Sequence, residues 1–123
     1  MIDRRIRRSR DPYRALCLQL EVARSRGKLD ALVLGIDNGL MVAGAGEPDL
    51  CEALSAAAPF LGDDHFPGSM PEALEGQHIR VRPVRLLGET LFVASAGQGT
   101  VERAMQRSIN GVRRIIGGAR IHP

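Results

Sequence analysis

Two short runs of this chain could hold a phosphate, and each has a neighbour that argues against it. Gly44-Ala45-Gly46 falls between an apolar strand-like segment and a helical one, as in a dinucleotide fingerprint. The sixth position of that fingerprint, however, is Asp49, and Glu47 would repel the ligand. Gly97-Gln98-Gly99-Thr100 opens a helical segment whose first amides could meet an anion, yet Glu102 already complements the helix dipole there. A glycine-supported cap is the simpler reading. The lone lysine, Lys28, is followed by Leu29, so no Walker A loop exists and the chain is not expected to bind GTP itself.

Metal and nucleophile chemistry fare no better. Asp63, Asp64 and His65 are three adjacent residues, which do not converge on one ion without ligands from elsewhere, and His78 and His122 supply no ligand spacing. Ser55, Ser69 and Ser95 lack a Gly-x-Ser-x-Gly setting. Cys17 and Cys51 stand alone in helical segments and read as small buried hydrophobes of a reducing compartment. The residues therefore point to a binding protein that is not an enzyme and carries no cofactor, metal or catalytic residue.

Charge is informative through its placement. The 123-residue chain carries a net +3, but residues 1–14 hold six arginines against Asp3 and Asp11, which leaves the remainder almost neutral. Residues 1–10 are expected to be a flexible basic arm, residues 11–118 one domain and residues 119–123 a tail. No apolar run follows the arginines as a signal peptide requires, and none approaches membrane-spanning length. A cytoplasmic location is expected. The arm could also neutralise nucleic-acid phosphates or an acidic membrane surface, although no interleaved aromatic and no DNA-reading helix supports specific DNA readout.

The elements that would position any site read in the order helix, hairpin, helix, hairpin, helix. Asp11 and Pro12 suit a helix start, and Leu16, Leu20 and Ala23 continue it to Gly27. Asn38-Gly39 predicts a two-residue type I′ turn between strands 31–36 and 40–45. Asp49 is the expected cap of an alanine-rich second helix, with Glu52 reaching back. Residues 62–77 read as a long loop that could contain a short strand or a turn of helix. Pro83 places strand 79–87 at a sheet edge, strand 90–94 is apolar throughout, and Gly117-Gly118 should end the last helix.

Two surfaces stand out for assembly. Leu50, Ala53, Leu54, Ala57, Ala58 and Leu61 give the second helix an apolar, small-residue surface that another backbone can approach closely, either the protomer's own sheet or a second copy. They are the dimer-interface candidates. Arg80, Arg82 and Arg85 alternate along the edge strand and are the partner-binding candidates.

The segment Asp30 to Gly44, two apolar strands around an Asp-Asn-Gly turn, followed by the alanine-rich helix Leu50 to Leu61, strand Leu91 to Ser95 and a final helix, resembles the roadblock/LC7 family over about residues 12–117. The resemblance implies an α/β, profilin-like sandwich, with a central antiparallel sheet of four or five strands flanked by three helices. It also implies a homodimer that regulates or scaffolds a Ras-like small GTPase, directly or through another roadblock-domain protein, in the manner of bacterial cell-polarity regulators. The arginine-, alanine- and glycine-rich composition resembles that of a high-GC bacterial protein. A profilin-like or PAS-like ligand sensor, and a module that uses the basic arm, are the alternative readings.

Overall fold

The computed structural model describes residues 12–62 and 71–121. Helix α1 (Pro12–Gly27) leads to strands β1 (Ala31–Ile36) and β2 (Met41–Gly46), then to helix α2 (Pro48–Gly62). A single 3-10 turn at Glu72–Leu74 precedes β3 (Ile79–Leu86), β4 (Glu89–Ala96) and α3 (Val101–Ile121). The strands form one sheet in the order β2-β1-β4-β3, with every pair antiparallel. Among the described residues four strands and three helices form the sandwich that the resemblance implies, with the lower of its two strand counts. The expected arm, the Asp63-Asp64-His65 run, Ser69 and His122 lie outside the described residues.

The alternation of side chains along the two central strands sorts the core into two layers. Leu32, Leu34, Leu91 and Val93 face α1 and α3, where they meet Leu16, Leu20, Ile109 and Val112. Ala31, Val33, Phe92, Ala94 and Ala96 face α2 and Leu74 of the 3-10 turn. Both faces of β1 and β4 are therefore covered, which explains strands with almost no polar position. β2 and β3 are the edges, and Pro83 sits on β3 as expected.

Three local expectations are corrected. The β1–β2 connection is a three-residue loop: Gly39 N–H donates to Ile36 O at 3.0 Å and Ile36 N–H to Leu40 O at 3.0 Å. Only Gly39 (φ 89°) is left-handed there, while Asn38 instead accepts from Leu40 N–H through Oδ1 at 3.0 Å. The two-residue turn with both positions left-handed occurs at Leu87 (φ 54°) and Gly88 (φ 81°), between paired residues Leu86 and Glu89. At α2 the cap is Glu47, whose carboxylate accepts from Leu50 N–H at 2.8 Å and Asp49 N–H at 3.2 Å, with Pro48 as the first helical residue. Finally, α3 continues through Gly117-Gly118 to Ile121, since glycine weakens a helix by about 1 kcal/mol without having to end it.

Candidate protein-interaction surfaces

α2 is fixed to the sheet by small residues. Ser55, fully buried, donates through Oγ to Gly39 O at 3.1 Å, so the hairpin loop is tied to the helix. A Cβ at Gly35 would stand 2.6 Å from Ser55 Oγ, and one at Gly39 3.4 Å from Ala56 Cα. The close approach that the alanine-rich surface permits is thus used by the protomer's own hairpin. Cys51 belongs to the same contact and donates from Sγ to Ala45 O at 3.3 Å; burial, and then the Glu47 carboxylate, push its thiol up. Cys17 lies on α1, across the sheet from Cys51, so the two cannot join within one protomer.

Four of the six dimer candidates are consumed in that packing. Leu50, Leu54, Ala57 and Ala58 are buried against β1 and β4, where they complete the second core layer. As surface candidates they are corrected: a helical stripe that is uniformly apolar is more easily read than which stripe faces the sheet. Ala53 and Leu61 remain half-buried at the rim, beside exposed Ala56 and Phe60. Ile79 and Val81 on β3 are half-buried on the same side of the sheet, so the rim continues from α2 to the edge strand.

The three arginines do not form one site. Arg80 and Arg82 share the face of β3 that looks toward α3, and both guanidinium groups engage Glu102 in the first turn of that helix, Arg82 at 3.3 Å. Arg82 also reaches Gln106 Oε1 at 3.4 Å. Arg85 is odd-numbered on the same strand and so projects from the opposite face, where its Nη1 lies 3.5 Å from Thr90 Oγ1 on β4. Glu102 therefore clamps the edge strand to α3, and only Arg85 belongs to the side of the apolar rim.

A second surface, which sequence reading passed over, lies on the outer side of α1 and α3. The two helices run antiparallel and nearly touch: a Cβ at Gly27 would be 3.0 Å from Ala104 Cβ, and one at Gly111 would meet Gln19 at 2.3 Å. Gln19 bridges the pair, donating through Nε2 to Arg107 O at 3.3 Å and accepting from Arg114 Nη2 at 3.1 Å through Oε1. A cleft of about 240 Å³ between the helices is lined by Ala23, Arg26, Gly27, Thr100, Arg103, Ala104 and Arg107. The signal available in the sequence was the spacing of Arg103, Arg107 and Arg114, which puts them on one helical stripe.

No metal-binding group of His, Cys, Asp or Glu occurs among the described residues, and no helix there is long and apolar enough to cross a membrane. No protein-family model and no curated protein matches the sequence. Among solved structures, Myxococcus xanthus MglB is similar, with a TM-score of 0.56 at 11% identity over 87% of this chain and 91% of that one. With helix, hairpin, helix, hairpin and helix wrapped around one antiparallel sheet, the chain is built on the roadblock/LC7 fold.

Proposed function

We propose that this chain is a non-catalytic, homodimeric protein-binding module of the cytoplasm that regulates or scaffolds a Ras-like small GTPase system, either directly or through another roadblock-domain protein. The observation that carries the reading is the likeness of its whole fold to that of MglB, over nearly the full length of both chains. The apolar rim of α2 and β3 supports it, because Ala53, Leu61, Ile79 and Val81 sit half-buried beside an edge strand that, among the described residues, pairs on one side only. A second copy set on that rim would complete the layer around a two-fold axis, and Arg85 would flank the contact.

The test is titration of the purified protein against the Ras-like GTPases of its source cell, in GDP and GTP-analogue forms, with and without any companion roadblock protein. Binding that depends on the nucleotide indicates direct contact with the GTPase; binding that needs the companion indicates a scaffold. Absence of binding in every combination, or turnover of a small substrate by this chain alone, overturns the reading. Light scattering at micromolar concentration tests the dimer, and Val81→Arg should give a folded monomer.

A further inference from the structure

The outer side of the α1–α3 layer combines unopposed positive charge with exposed aliphatic side chains. The two helices contain eight arginines and two glutamates. Both glutamates are already engaged, Glu21 by Arg24 at 2.6 Å and Glu102 by Arg80 and Arg82. Among the described residues no ion pair engages Arg26, Arg103 or Arg107. These three line the cleft between the helices, and Arg114 extends the stripe into an adjoining cleft of about 380 Å³; among the described residues no carboxylate lines either one. Next to them on α1, one turn apart, Leu18 is 62% exposed and Val22 44%. The sequence before Pro12 carries five more arginines.

The opposite layer has the opposite sign. α2 and the segment around the 3-10 turn contain Asp49, Glu52, Glu72 and Glu75 and no basic residue. A molecule charged in this way orients itself before contact, turning its arginine side to any extended anionic surface. We propose that the outer face of the α1–α3 layer binds an anionic lipid bilayer. Guanidinium groups in the clefts hold lipid phosphates or carboxylates, while Leu18 and Val22 enter the headgroup boundary. The aliphatic pair selects a bilayer over nucleic acid, because a polynucleotide backbone offers it no apolar partner, and the two helices hold a single aromatic, Tyr13, where a base-stacking platform needs several. The inference does not depend on the GTPase reading, which uses the α2 and β3 rim.

Co-sedimentation of the full chain with vesicles, either of phosphatidylcholine alone or with about one-third phosphatidylserine, tests it. Binding is expected only to the anionic vesicles. Neutralising one arginine of the face should weaken partitioning about fivefold, so R103E/R107E should lower it by about twenty-fivefold or more. L18S/V22S should lower it about tenfold at unchanged charge. Replacing the arginines at 4, 5, 7, 8 and 10 by glutamine gives the arm's separate share. All three variants alter exposed or terminal positions; circular dichroism verifies their fold, and R26Q/R103Q replaces R103E/R107E if charge reversal unfolds the protein. Equal binding to neutral vesicles, loss confined to the arm variant, or tighter binding to duplex DNA that ignores L18S/V22S would each overturn the proposal.

Discussion

The two helical layers solve the same packing problem with different small residues, and their outer faces differ accordingly. On the α1–α3 side, glycine lets two helices come together: Gly27 against Ala104 and Gly111 against Gln19, with Gly99 passing the end of α1. That layer is thick and leaves arginines outside. On the other side, one alanine-rich helix lies against the sheet and receives the hairpin loop at Ser55 and Ala56, leaving an acidic and partly apolar exterior. A small side chain therefore marks where backbones approach, whereas the charge around it marks what the finished surface can meet. The first property is consumed in folding the protomer; the second remains available to partners.

The largest test of this distinction is Ala57→Glu. Ala57 is buried against the sheet, so a carboxylate there loses solvent and gains no partner, and the variant should lose about 4 kcal/mol of stability at neutral pH. Burial raises the folded-state pKa of the new carboxyl above its unfolded value, so the deficit relative to the parent should shrink as pH falls through that raised pKa. The neighbouring Ala56→Glu, on the exposed side of the same helix, should change stability by less than about 0.5 kcal/mol. Urea denaturation of both variants at neutral and acid pH checks this. Comparable small effects at the two positions would mean that α2 does not present Ala57 to the sheet.

Next in size is a pair of identical substitutions with opposite signs. A Cβ at Gly99 would lie 1.7 Å from Gly27 O, so Gly99→Ala must displace backbone on one side and should cost about 3 kcal/mol. Gly117 lies within α3 with nothing inside 4 Å of an added Cβ, and Gly117→Ala should stabilise by about 0.5–1 kcal/mol through helix propensity. Thermal melts of the two proteins should move in opposite directions. A gain at Gly99 would mean that the β4–α3 connection does not pass against α1.

How far the sequence carries is clear from the same residues. Element order and the edge position of β3 follow from periodicity and from Pro83, because those are local signals averaged over several residues. The turn chemistry did not follow, since Asn38-Gly39 allows both a two-residue loop and a three-residue one, and the choice rests on register: Leu34 pairs with Ala43 but Gly35 with Met41, which puts an extra residue into β2. Leu87 could not be foreseen as a left-handed residue, because hairpin closure forces a conformation its side chain disfavours. The six dimer candidates divide for a related reason: helical spacing gives a stripe, but only the sheet determines which part of it is buried, and Leu50, Leu54, Ala57 and Ala58 go to the core while Ala53 and Leu61 stay at the rim. Arg80, Arg82 and Arg85 read as one cluster in sequence, and strand pleating divides them.

The smallest expected effect on stability probes the boundary between the arginine layer and the edge strand. Glu102 is the only acidic residue of α3, and its carboxylate holds both Arg80 and Arg82 while lying near the positive end of the helix dipole. All three side chains are at least 41% exposed, so solvent screens the pairs, and Glu102→Gln should destabilise by less than about 1 kcal/mol. The same change removes a negative charge next to the cleft of Arg103 and Arg107 and frees two guanidinium groups. Partitioning onto anionic vesicles should therefore rise about fivefold even as the melting temperature falls slightly, and the gain should fade as salt shortens the range of the field. Vesicle sedimentation at two ionic strengths, alongside a thermal melt, reads both effects. A fall in binding would indicate that Glu102 positions the arginine face through the clamp on β3, and that fixing the layer's geometry outweighs its charge.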